Sequence, residues 1–333
     1  MEQLILSILF AFLICIVLGP LVIPLLHKLK FGQNVRDDGP KKHLAKAGTP
    51  TMGGVITIFA VSLVTLLMGK GSQEFSIVTV LVMVGYGLIG FLDDFIKVKM
   101  KRSLGLRAYQ KIIGQFGLAL VIAIWAYRNP MVGPVVNVPF LNIEWDLGWF
   151  YIPFAVFVII AIVNSVNLTD GLDGLASGVM MIDAVIYGVI CAILTAAAAE
   201  AGNVMLAANL NNEMIFAGAL AGGCLGFLRF NAYPARVFMG DTGSLALGGA
   251  LSMLAISTRS MLIVPIIGIM FMMSSISVIL QVGSYKLRNK KRVFLMAPLH
   301  HHFELKGFPE TKIVSMYMII TAVAGLVVLL NYV

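Results

Sequence analysis

The sequence predicts an all-α integral membrane protein, a polytopic bundle of ten transmembrane helices, and three observations carry that reading. Of 333 residues, 59% are hydrophobic and only 12% charged, with a mean hydropathy of +0.94, far from the balance of a soluble domain. Apolar stretches long enough to span a bilayer recur along the whole chain, and no polar stretch between them is long enough to fold alone. The basic residues, finally, are confined to alternate loops, as the positive-inside rule requires. The expected architecture is one membrane domain over residues 1–333, with both termini outside, polar motifs on the cytoplasmic face and a small extracytoplasmic β-hairpin.

The ten spans are expected near residues 3–26, 51–69, 75–92, 112–127, 149–166, 175–197, 213–228, 243–258, 261–285 and 312–332. The opening "MEQL" carries no basic n-region, and the apolar run after it is too long for a signal peptide and lacks a small-residue cleavage site. It reads as the first span. The seventh and eighth candidates are short and Gly-rich. Between the fourth and fifth lies "NPMVGPVVNVPFLNIEWD" (129–146), whose valines and turn residues predict an extended hairpin outside the bilayer. Cys15, Cys191 and Cys224 all sit in apolar runs and read as packing residues.

The loops after spans one, three, five, seven and nine hold 21 of the 24 Lys and Arg, against only Lys70, Arg128 and Arg259 on the opposite side. These five loops are therefore assigned to the cytoplasm. The net charge of +8 follows from that bias and also suits an anionic lipid or substrate. Nothing points to nucleic acid.

Each inward loop carries one polar segment. "KKHLAKAGTPTMGG" (41–54) opens the second span, and its helix-start N–H groups with Lys46 would suit a phosphate or simply cap a helix. "FLDDFIKVKMKRSLGLRAYQK" (91–111) places Asp93 and Asp94 at the cytoplasmic edge of an apolar run, with Lys97 within one turn. An acidic pair at a helix C-terminus opposes the helix dipole and asks for a compensating cation. "NSVNLTDGLDGLA" (164–176) holds Asn164, Asn167, Asp170 and Asp173, with glycines that admit a ligand close to the backbone. A tight interhelical turn is the plainer reading. "RFNAYPARVFMGDTGS" (229–244) offers Phe238 to stack on a base and Asp241 for Mg²⁺ or for capping a helix. "KLRNKKRVFLMAPLHHHFELKG" (286–307) holds His300, His301 and His302; three adjacent histidines do not readily bind one metal, so anion contact or proton handling fits better. The aspartates, with the lysines and histidines around them, form a carboxylate–magnesium site for phosphates. The residues themselves do not name the substrate.

The motifs "FLDDFIK", "NSVNLTDGLDGLA", "NAYPARVFMGDTGS" and "MAPLHHHFE" closely resemble the polyprenyl-phosphate hexose-1-phosphate transferases. The His triplet and "GTPTMGG" resemble the bacterial pentapeptide-transferase branch. The resemblance covers nearly the whole chain and implies Mg²⁺-dependent transfer of a phospho-sugar from UDP-MurNAc-pentapeptide to undecaprenyl phosphate at the inner leaflet of the bacterial cytoplasmic membrane, yielding lipid I and UMP for peptidoglycan. It also implies a homodimer and sensitivity to uridine-type nucleoside inhibitors. By similarity Asp241 and Asp94 are the metal ligands, and Asp93 and His300 join them as catalytic residues. Lys46, Gly171, Leu172, Asp173 and Phe238 match the family's uridine pocket. Thr51, Lys97, Lys111, Asn167, Asn231, Gln281 and His301 match its polar lining, and Asp170 and His302 are further substrate-binding candidates. Two rivals stand beside this reading: a sister enzyme using UDP-GlcNAc, and a secondary transporter whose best feature is Asp183 within the sixth span.

Overall fold

The computed structural model describes residues 1–28, 46, 48–100, 105–141 and 143–332. The basic stretches over 29–45 and 101–104, which contribute much of the charge asymmetry, lie outside the described residues.

The chain runs α1 (Glu2–Lys28), α2 (Gly54–Met68), α3 (Glu74–Lys99) and α4 (Ala108–Arg128), then β1 (Val135–Val138) and β2 (Ile143–Asp146). It continues through α5 (Tyr151–Thr169), α6 (Leu175–Glu200), α7 (Val204–Asn231), α8 (Gly240–Ser257), α9 (Val264–Ile267), α10 (Ile269–Leu287), α11 (Leu299–Leu305) and α12 (Glu310–Leu329). The hairpin forms where expected: β1 and β2 pair antiparallel, Val135 opposite Asp146 and Val138 opposite Ile143.

Eight helices, including the segment Gly148–Thr169, are long and apolar enough to cross a membrane, so the chain is a multi-pass membrane protein. The other two expected spans are helices at the expected positions. α2 is apolar but has 15 residues, about 22 Å at 1.5 Å per residue, short of the ~30 Å hydrocarbon core; α8 is not among the eight. The ninth candidate is broken: Pro265 lies in the first turn of the short α9, Gly268 ends it, and only α10 is long enough to span.

The outer surface explains why these helices want lipid. On α1 the buried positions Ser7, Ala11, Cys15 and Gly19 recur every four residues and are small, whereas Leu9, Leu13, Val17 and Leu21 face outward and are half exposed or more. A helix whose bulky apolar side chains face outward while small ones face its neighbour is packed for a bilayer, where close backbone approach replaces hydrophobic burial. The partner stripe lies on α7: a Cβ on Gly222 would come within 2.0 Å of the Ile8 carbonyl, and one on Gly226 within 2.6 Å of Cys15 Cβ.

The largest departure from expectation concerns α7. The seventh span, short and Gly-rich in sequence, is a 28-residue helix, and 83% of its apolar window is buried against 22% for α1. It packs mainly against α6, α1 and α2. Its first half reads as polar because of Asn209, Asn212 and Glu213, all fully buried. Asn212 Oδ1 accepts the Lys70 N–H at 3.0 Å while its Nδ2 donates to the Lys70 and Ser72 carbonyls at 2.8 and 2.7 Å. Asn209 Oδ1 accepts the Phe75 N–H, and Glu213 accepts the Thr79 hydroxyl at 2.6 Å. These side chains fix the turn between α2 and α3. The three cysteines are buried and free, as expected of packing residues.

Candidate active site

α3 continues to Lys99, so Asp93 and Asp94 stand about one and a half turns inside its end and not at it. Both are only 3% exposed, which excludes a solvated helix terminus. The compensation for their charge comes from α8. The Thr242 N–H and hydroxyl, in the first turn of α8, donate to Asp94 Oδ2 at 2.9 and 2.8 Å, placing the carboxylate where a helix N-terminus favours an anion. Gly240 makes this approach possible: its φ is +73°, and a Cβ there would lie 2.6 Å from Asp94 Oδ2 and 2.7 Å from Thr51 Oγ1.

Asp93, Asp94 and Asp241 converge, each offering an oxygen within 4.8 Å of the others. The Lys97 ammonium sits among them, 2.6 Å from Asp93 Oδ2, 2.7 Å from Asp241 Oδ2 and 3.4 Å from Asp94 Oδ1. Each carboxylate spends its other oxygen on a donor that orients it. Asp93 Oδ1 accepts the Leu106 N–H at 2.7 Å, Asp94 Oδ2 accepts Thr242, and Asp241 Oδ1 accepts Asn167 Nδ2 at 2.7 Å. Three oxygens held this way and turned toward one cation are the donor set that a hard divalent ion takes. The Lys97 ammonium demonstrates that they can share one positive charge. Lys111 adds a second cation at 3.0 Å from Asp241 and lies 3.4 Å from Asn167 Oδ1.

Asp170 and Asp173 take different directions, because α5 ends at Thr169 and α6 begins at Leu175; the shared helical face that their spacing allows is not formed. Asp170 caps α5 and faces the acidic centre: burial, joined by the carboxylates of Asp241, Asp94 and Asp173, pushes its carboxyl up to about 8. Asp173 instead pairs with Lys46 at 2.7 Å, and Lys46 also meets Glu310 at 2.7 Å. Burial pulls the Lys46 ammonium down, but its bonds to Asp173 and Glu310 outweigh this and hold it above the usual lysine value. Leu172 is buried, and Gly171 lies beneath His300, whose Nε2 is 2.2 Å from where a Gly171 Cβ would be.

The remaining candidates divide. Phe238 is partly buried, and the Phe238 N–H donates to the Pro50 carbonyl while its carbonyl accepts the Gly53 N–H, tying the Thr51 segment to the start of α8. His300 is fully buried with its ring 4.3 Å from that of His301, and His301 Nδ1 lies 2.6 Å from Glu304. Asn231 is committed to protein: it accepts from the Gly174 N–H and the Ser177 hydroxyl and donates to the Val237 carbonyl. Gln281 accepts the Val293 and Phe294 N–H groups and donates to the Phe294 carbonyl, pinning the loop after α10. His302 Nδ1 accepts the Leu295 N–H, which requires a neutral ring; burial and then Lys306 push its imidazole down. These hydrogen bonds of Asn231, Gln281 and His302 hold the walls of the site. Asp183 is fully buried in α6, and neither carboxylate oxygen has a hydrogen-bond partner among the described residues.

Sequence reasoning missed Glu310 and Thr242. An acid after Pro309 at a helix start looks like ordinary capping, and a Thr beside Asp241 gives no sign that it serves a carboxylate on another helix.

Comparison with known proteins agrees with this geometry. Residues 76–259 match the model of glycosyl transferase family 4, and residues 46–58 match phospho-N-acetylmuramoyl-pentapeptide-transferase signature 1. Curated phospho-N-acetylmuramoyl-pentapeptide-transferases are similar over almost the whole chain. That of Desulfitobacterium hafniense is 50% identical over 332 residues, 99% of this chain and 98% of its own. That of Clostridioides difficile is 51% identical over 315 residues, 95% of this chain and 93% of its own. The family segment contains the three converging aspartates, and the signature contains Lys46 and Thr51. The chain belongs to the phospho-N-acetylmuramoyl-pentapeptide-transferases of glycosyl transferase family 4.

Proposed function

We propose that this chain transfers phospho-MurNAc-pentapeptide from UDP-MurNAc-pentapeptide to undecaprenyl phosphate, giving lipid I and UMP. The observation that carries the reading is the triad Asp93, Asp94 and Asp241 converging on one cation beside Lys111, in a chain of this family. An oxygen of the lipid phosphate attacks the phosphorus that bears the sugar, a new P–O–P bond forms, and the old one breaks with its electron pair leaving on UMP. Two polyanions must meet, so positive charge has to offset their repulsion and the charge developing on UMP. Mg²⁺ held by Asp241 and Asp94, with Asp93 in reach, would supply that charge at the pyrophosphate. Asn167 holds Asp241 in orientation, and Lys97 and Lys111 would be free to take up phosphate oxygens with a divalent ion held by the carboxylates. Asp93, fixed by the Leu106 N–H, orients the acceptor phosphate. Because a phosphate monoester is largely dianionic near neutral pH, the reading favours direct attack over a phospho-aspartate.

The ten-span topology belongs to the same proposal, with both termini outside, the triad at the cytoplasmic face of a bacterial inner membrane, a homodimeric state and binding of uridine-type inhibitors. The alternation of basic loops and the exposed apolar faces support the membrane placement. Family membership disfavours both rivals, and among the described residues Asp183 has no hydrogen-bond partner of the kind that a transport carboxylate needs. UMP release from UDP-MurNAc-pentapeptide and from UDP-GlcNAc, each with undecaprenyl phosphate, tests the assignment. Turnover of the first is expected, and turnover of UDP-GlcNAc alone would overturn it.

A further inference from the structure

Among the described residues, α12 reaches the Lys46–Asp173 pair through one side chain. Glu310 is the first residue of α12, and its side chain is 11% exposed. Its two oxygens meet Lys46 Nζ at 2.7 and 2.9 Å, and Oε1 also accepts the Asp173 N–H at 2.7 Å. Asp173 in turn meets the same ammonium through Oδ1 and accepts the Ala235 N–H through Oδ2 at 3.0 Å. One carboxylate thus joins the segment before α2 to the α5–α6 loop and, through Asp173, to the α7–α8 loop. The next N–H along, that of Gly174, is held by Asn231, so two side chains fix two successive backbone groups of the loop.

Charge decides what this corner can receive. Among the described residues, one ammonium set against two carboxylates leaves it net negative, the wrong sign for a phosphate clamp. An ammonium has three donors, and here they are turned to carboxylates. What the corner offers is a fixed array of donors and acceptors, with the Tyr233 ring 5.8 Å from Lys46 Nζ. That suits the neutral, planar, hydrogen-bonding end of a nucleotide, while the phosphates belong to Lys97, Lys111 and the triad.

We propose that Glu310 is a positioning residue for the donor nucleotide, holding Lys46 and the Asp173 loop as a preformed receptor for the uridine end and playing no part at the acceptor. The proposal rests on the function assigned above. Glu310→Gln keeps the side-chain size and an acceptor for the Asp173 N–H but removes the charge that holds Lys46. In the purified full-length protein its KM for UDP-MurNAc-pentapeptide should rise about ten-fold, with that for undecaprenyl phosphate changed by less than about two-fold. Glu310→Asp, which restores the charge, should recover part of the loss. UMP binding by calorimetry should weaken by the same factor as the donor KM. Equal changes in both KM values, no change in either, or a lower donor KM would overturn the proposal. So would a wild-type protein that does not bind UMP. Wild-type protein that binds UMP but does not turn over UDP-MurNAc-pentapeptide would count against the assigned function alone, because the UMP comparison between wild type and Glu310→Gln still decides the role of Glu310.

Discussion

The two ends of α3 carry two polar clusters of opposite character. Near its start, Thr79 joins Glu213, Asn209 and Asn212 of α7, and all four are fully buried. About 21 Å further along the helix, Asp93 and Asp94 meet Asp241, Lys97 and Lys111, whose Lys97 is 31% exposed. At the first cluster the partners are neutral, and the amides are satisfied by backbone groups of one turn. At the second, carboxylates are held by neutral donors on one side and turned toward a partly exposed ammonium on the other. A cluster whose amides are held by fixed neutral backbone partners holds a fold together. One that leaves like charges facing a replaceable cation is arranged for a ligand.

That contrast is breakable, and the largest effect should come from Asp241→Asn. It removes one of three charges from the cation position while keeping an acceptor for Asn167. Turnover should fall on the order of 10³-fold, the scale of losing a preorganised electrostatic group, with little change in thermal midpoint. A chelator should abolish the wild-type reaction and added Mg²⁺ restore it. A large loss of stability without a selective loss of UMP release would erase the distinction between the clusters.

The converse substitution is Asn212→Leu. It deletes three hydrogen bonds to backbone groups of Lys70 and Ser72, worth about 2–3 kcal/mol together. The thermal midpoint in detergent should drop, while KM values of the folded fraction stay near wild type. Smaller again is Lys97→Met. If the ammonium holds the place of the divalent ion, its removal should lower the Mg²⁺ needed for half-maximal rate several-fold, yet slow turnover about ten-fold because a phosphate partner is lost. A higher Mg²⁺ requirement would show that Lys97 supports the ion and does not compete with it.

The two clusters also differ in how far the sequence exposes them. Acidic residues crowded at one edge of apolar runs are anomalous, so Asp93, Asp94, Asp170, Asp173 and Asp241 stand out without any structure. The basic loops assign them to one face, where Asp93, Asp94 and Asp241 do converge while Asp173 turns to Lys46. Asn209, Asn212 and Glu213 disguise themselves: they lower local hydropathy, shorten the apparent span and hide the most buried of the eight helices long enough to span, since hydropathy scores a polar side chain as exposed whatever partner it finds. Glu310 and Thr242 are invisible for a related reason. Each looks like a helix-start residue, and only the packing of α12 and α8 reveals whose carboxylate or ammonium it serves. Asn231, Gln281 and His302 show the reverse, since their polar groups are consumed by the walls of the site.

The finest test of the comparison is Asp170, which lies between the two kinds of behaviour. It faces three other carboxylates yet has no cation of its own among the described residues, and its carboxyl is pushed up to about 8. With the folded value raised above the ordinary carboxylate range, the neutral form dominates at pH 7 and the anion appears only as pH rises through about 8. Asp170→Asn imitates the neutral form, so at pH 7 it should change UMP binding by no more than about three-fold. Measured in chelator between pH 6 and 9, wild-type binding should weaken above pH 8 as a further negative charge enters the acidic centre, and the variant should lack that limb. A variant that binds poorly already at pH 6 would mean that Asp170 acts as an ionised contact at the ligand, and would move it into the same class as Asp241.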